Sequence, residues 1–268
     1  MLRLRSVSAG LALALVAGVA GLLAQSPAPP QAGQASMPKL EFEKYTLLNG
    51  LQVILHVDRK LPIVHVNQWF HVGSKNEKAG RTGFAHLFEH MMFQGSKNVP
   101  GEYFTHVERA GANVMEGGVN GTTNEDRTNY FATVPSANLE MLMWLESDRL
   151  ATLLDVTSQD KLDNQRDVVK NERRQGLENQ PYGRAFPLLA EAVFPKGHPY
   201  SWPVIGSQED LSAASLDDVK EFFRQYYTPN NLSLAIAGDF DPAEAKRLVE
   251  KYFGGLPPGP ALDRPARW

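Results

Sequence analysis

The ten residues Gly83-Phe84-Ala85-His86-Leu87-Phe88-Glu89-His90-Met91-Met92 constrain this chain more than any other stretch. Read as a helix, they put His86 and His90 one turn apart on one face, with Glu89 three residues after His86 on that face. Phe84, Ala85, Phe88 and Met92 form the opposing face and read as core. Two neutral imidazoles at this spacing suit a divalent zinc ion, and a carboxylate beside them can take a proton from water without being a ligand. The order His-x-x-Glu-His inverts the commoner His-Glu-x-x-His arrangement. On its own the pattern also fits an ordinary pair of core or surface histidines, and a third ligand is what separates the two readings.

The chain contains no cysteine, so a thiolate site and a disulfide framework are both excluded, and any metal is held by nitrogen and oxygen. A hydrophobic fraction of 43% over 268 residues is enough for one large domain with a core. The formal charge of −3, with both signs interspersed, gives no reason to expect nucleic acid or an anionic membrane as partner.

Residues 1–24 read as a secretory signal: Arg3 and Arg5 open it, an apolar run covers 11–23, and Ala24 is a small residue at a cleavage point. The run is short for a span of about 20 apolar residues. A Pro-rich segment without a basic stop-transfer cluster follows it. The reading is therefore export to the periplasm or beyond, with no stable membrane span after signal removal. Residues 25–38 form a flexible tether, 39–255 the folded domain, and the Pro/Gly-rich 256–268 the start of an interdomain linker.

Within the domain, Asn49-Gly50 between two apolar runs predicts a hairpin, and 63–72 alternates as a strand carrying His65 and His71 as ordinary sheet residues. The metal helix opens at Thr82 or Gly83 and is closed by Gly95 itself, and a second helix spans Tyr103 to Arg109. Two strand pieces flank a polar turn within 117–131. Ser136 reads as an N-cap for a packed helix over 139–153, and Thr157 or Ser158 opens the next. Further helices are expected from Pro181-Tyr182 to Val193, from a capping box at Ser215 to Tyr227, and from Pro242 to Phe253, with a buried strand over 232–237. Interleaved helices and strands give an α+β domain with a mixed, largely antiparallel sheet packed against helices.

The run from Asp160 to Gln175 has no Gly or Pro and contains Val168-Val169-Lys170-Asn171-Glu172-Arg173-Arg174. Following His-x-x-Glu-His at this distance, it makes the chain resemble the pitrilysin and insulin-degrading-enzyme family of zinc peptidases, which includes the mitochondrial processing peptidase. The resemblance covers nearly all of the chain after its first forty residues. It implies one zinc ion per chain held by His86, His90 and Glu172, with Glu89 as catalytic base. It also implies that Asn120, Gly121 and Thr122, with Gly where the family pattern has Ala, lie on an edge strand that presents its backbone to a peptide substrate. Where the family commonly has a second acid, two turns before Glu172, this chain has Gln165. Relatives pair this metal-bearing half with a second half of similar fold carrying an Arg and a Tyr near the scissile bond. The resemblance thus implies a second homologous half or a partner subunit. Two rival readings are a non-catalytic partner or scaffold subunit, and a metal enzyme acting on small molecules, since His-x-x-Glu-His also occurs in an unrelated lyase.

Overall fold

Alternation over β3 (Ile63–Phe70) sends Val64, Val66, Gln68 and Phe70 to a buried face and leaves His65, Asn67 and Trp69 on the other. The same two-residue period recurs in β5 (Thr128–Pro135), where Tyr130, Ala132 and Val134 are buried, and in β6 (Leu232–Gly238), where Leu232, Leu234 and Ile236 are. With β1 (Glu43–Thr46), β2 (Gln52–Val57) and β4 (Val119–Thr123) these strands form one six-stranded sheet in the order β1-β2-β6-β3-β5-β4. Only β2 and β6 run parallel. The expected mixed, largely antiparallel sheet is what this computed structural model shows. It describes residues 39–262; the expected leader, the tether and the last six residues lie outside the described residues.

The described residues also form α1 (Phe84–Met91), α2 (Tyr103–Arg109), α3 (Leu139–Val156), α4 (Gln159–Arg173), α5 (Ala185–Val193), α6 (Gln208–Ala213), α7 (Leu216–Tyr226) and α8 (Pro242–Phe253); all but the exposed α5 contribute buried side chains to the core. Phe88 of α1 is the packing centre, with ring centroids 4.5 Å from Tyr227, 5.1 Å from Phe223 and 6.3 Å from Phe222. Burying a side chain of this size is worth roughly 1.5–3 kcal/mol, so the metal helix is anchored through the face opposite its histidines. Beneath it, Arg149 of α3 is buried over the rings of Tyr103 and Tyr130, at 4.2 and 4.9 Å, and is ion-paired with buried Glu146. Tyr103 donates its hydroxyl hydrogen to the same carboxylate.

Three local expectations are corrected. Ser136 does not cap α3: residues Ser136–Asn138 form a 3-10 turn, the cap position falls to Asn138, and the Ser136 hydroxyl is buried without a partner. The helix expected from Pro181 starts at Ala185, because α4 runs on into a wide turn over Arg174–Glu178 and Tyr182 takes a left-handed φ of 61°. The metal helix ends at Met91, before Gly95. The hairpin holds, but its loop is longer than a two-residue turn: Thr46 pairs with Gln52, and the Asn49 amide donates to the Phe253 and Leu256 carbonyls at 2.8 and 3.0 Å. Ser158, Ser215 and Asp241 cap α4, α7 and α8 through their side chains.

Candidate functional site

The site begins with how α1 starts. Gly83, its N-cap, has φ 88° and no side chain to offer, and a Cβ there would stand 2.8 Å from the Ile205 carbonyl oxygen. The cap comes from elsewhere: Glu77 accepts the backbone N–H groups of Gly83 and Ala85 at 3.0 and 2.9 Å, and the indole N–H of Trp202 at 3.2 Å. A buried carboxylate thus meets the first turn of the metal helix and fixes where that helix points.

From α1, His86 and His90 project toward Glu172 near the end of α4. The two Nε2 atoms are 3.4 Å apart, and they lie 3.7 and 3.3 Å from the Glu172 Oε2. A tetrahedral ion with bonds of about 2.0–2.1 Å has ligand atoms roughly 3.3–3.4 Å apart, so this donor set fits zinc by distance as well as by chemistry. Burial, with the neighbouring His90 adding to it, pushes His86 down to about 4, which keeps its imidazole neutral as a ligand requires. Its Nδ1 is buried without a partner.

Glu89 lies on the side of α1 facing β4. Thr123 donates its hydroxyl hydrogen to the Glu89 Oε2. Gly121 is packed so closely that a Cβ on it would stand 2.9 Å from the Glu89 Cγ and 3.1 Å from Oε1. Burial chiefly pushes the Glu89 carboxyl up, to about 7, with the Glu172 charge adding to it, while the Thr123 bond and Arg127 pull it down. A carboxyl in that range can both accept and release a proton.

Strand β4 is an edge, and its pairing decides which groups face outward. Thr133 N–H donates to Gly118 O, and Asn124 N–H to Arg127 O. Hydrogen-bonded pairs alternate along an antiparallel ladder, so Asn120 and Thr122 spend their backbone groups on β5. Val119, Gly121 and Thr123 turn theirs outward. Of the three residues expected to present backbone, Gly121 does so, and its N–H meets the Asn120 side-chain oxygen at 2.9 Å. Gln165 is buried on α4 and, with His90, Phe93, Gln94, Glu102 and Phe104, lines a cleft of about 190 Å³. His65 bonds Thr133 and His71 bonds Ser233 within the sheet.

Sequence reasoning missed Glu77, Thr123 and Arg127. Thr123 directly follows Asn120, Gly121 and Thr122, and strand alternation from Gly121 puts it on the Glu89 side. Glu77 and Arg127 carried no local signal.

The family model described as Insulinase (Peptidase family M16) matches residues 52–202, a stretch holding His86, Glu89, His90 and Glu172. A second, described as Peptidase M16 inactive domain, matches residues 213–268. The chain is 33% identical to the zinc protease PqqE of Helicobacter pylori over 225 residues, which is 83% of this chain and 48% of that protein. The crystal structure of a protease from Helicobacter pylori gives a TM-score of 0.77 at 31% identity, covering 86% of this chain and 54% of that one. The periplasmic protease PqqL from Escherichia coli gives 0.76 at 25% identity, covering 87% and 26%. The chain spans about half the length of the curated relatives it matches. With more than half of its residues matched by the family model, the His86-x-x-Glu89-His90 turn among them, this chain belongs to the insulinase family of peptidases, family M16.

Proposed function

We propose that this chain is the metal-bearing half of a zinc-dependent endopeptidase that hydrolyses peptides or unfolded polypeptides. The observation that carries the reading is the triangle of His86, His90 and Glu172, with edges of 3.3–3.7 Å, formed on the helix that also carries Glu89. Zinc, when bound, supplies a Lewis acid that polarises the scissile carbonyl and acidifies water. His86, His90 and Glu172 hold it. Glu89, fixed by Thr123, accepts a proton from the attacking water and returns it to the departing nitrogen. The edge of β4 binds an extended peptide through the backbone of Val119, Gly121 and Thr123, which is indifferent to sequence and suits a broad substrate range. A second half or a partner subunit completes the cleft, as the half-length match to longer relatives supports. The basic start and apolar run in the sequence of residues 1–24, and the likeness to PqqL, described as periplasmic, support an exported protein. Among the described residues no helix is long and apolar enough to cross a membrane.

The test is cleavage of unstructured, quenched peptides by residues 25–268, with and without a chelator. Glu89→Gln should lower turnover by about 10²–10⁴-fold, the worth of a general base, while one zinc per chain stays bound. Loss of the metal instead would make Glu89 a ligand. Zinc bound without any cleavage would favour a subunit that needs its partner.

A further inference from the structure

We infer that Arg127 and Trp69 form a subsite that selects a peptide with an acidic side chain at the position facing Thr122. The inference rests on the edge-strand reading above and goes beyond it by giving the edge a preference. Arg127 stands just before β5, at the end of the turn from β4, and its Nη1 donates to the Thr122 carbonyl at 2.8 Å, to the Asn129 side-chain oxygen at 2.6 Å and to the Thr122 hydroxyl. Its guanidinium carbon lies 5.1 Å from the ring centroid of Trp69, a residue that is 39% exposed. Its charge acts on Glu89 at a distance, but among the described residues no carboxylate is in direct ion-pair contact with Arg127, and its side-chain hydrogen bonds all run through Nη1. The adjacent Asp126 is turned to Lys75 and Tyr200 instead. This is a fixed, half-buried cation with donors to spare.

Its place relative to a bound peptide follows from strand geometry. Residues in register on neighbouring strands send their side chains to the same face of a sheet. Thr122, Asn129 and Trp69 are in register across β4, β5 and β3, and share the face that the core does not cover. A peptide residue opposite Gly121 sends its side chain toward Glu89. Its neighbour opposite Thr122 sends its own to the guanidinium and the Trp69 ring. A carboxylate there meets two free N–H donors in the fork that suits it, whereas a lysine meets a like charge.

The experiment uses zinc-loaded full chain carrying Glu89→Gln to prevent turnover, and end-capped, neutral coumarin-labelled peptides differing only in one central Asp, Asn or Lys, titrated by fluorescence anisotropy. The Asp peptide should bind about tenfold tighter than the Asn peptide at low salt, and the margin should shrink as salt rises. Arg127→Gln should level the series, Arg127→Glu should reverse it in favour of Lys, and Arg127→Lys should keep the original order, which guards against a variant that only unsettles the turn. Equal binding of all three peptides by the Arg127 protein overturns the subsite and leaves the edge-strand reading standing. Binding of none of them overturns both.

Discussion

Gly121 has no side chain, and Glu89 stands where one would be. The atoms of Glu89 come within 2.9–3.1 Å of the Cβ that any other residue would bring, and the Phe93 ring within 3.2 Å. The glycine therefore serves the carboxyl as much as the strand: it lets Glu89, the proposed base, lie against the same edge that turns backbone groups outward. Gly121→Val forces Glu89 off Thr123 without touching a metal ligand. It should cut kcat by roughly 10²-fold, the cost of about 1 Å of misplacement, with bound zinc and KM nearly unchanged; unchanged kcat would show that Glu89 finds another working position. Nothing in the sequence marks this approach. A glycine in a strand pattern announces a close neighbour, but which neighbour depends on a helix thirty residues earlier in the chain.

At the level of elements, the caps divide into those read from sequence and those that were not. Ser158, Ser215 and Asp241 each accept from the N–H three residues on, a contact within one turn, and all three fall where spacing puts a helix start. Ser136 failed because a 3-10 turn intervenes and moves the start of α3. The cap of α1 lies outside that logic, since Glu77 reaches it across a loop with Trp202 closing the other side. Glu77→Ala leaves two buried N–H groups of the metal helix unmet, which costs about 1–3 kcal/mol each. The urea midpoint should fall accordingly, and zinc affinity with it, because the helix that carries both histidines loses its fixed start; Glu77→Gln, which keeps one acceptor, should recover part of each. A zinc affinity unmoved by Glu77→Ala would confine Glu77 to stability.

The whole molecule brings the site together from distant parts of the chain. α1 is packed under the sheet, Glu172 arrives on α4, and β4 closes the third side as the sheet's outer strand. The proposed ion between α1 and α4 would bind only the folded chain and so would stabilise it by mass action. At a thousand times Kd that is about 4 kcal/mol, and at roughly 2–4 °C per kcal/mol a chelator should lower the melting temperature by about 8–16 °C. His90→Ala should show almost no chelator shift, and an equal shift in both would place the metal elsewhere. The sequence by itself determined most of the elements and the placing of His86 and His90 on one face of α1, because hydrophobic period, capping spacing and the i, i+4 relation are local rules that act within a turn or a strand. It pointed to Glu172 only through resemblance. What the tertiary structure alone decided is which distant groups meet: Glu172 with the histidines, Glu77 with the helix start, Gly121 and Thr123 with Glu89, and Arg127 with Trp69. Those contacts follow from the order of strands in the sheet and the packing of Phe88 beneath it, and no short-range period in a chain encodes either.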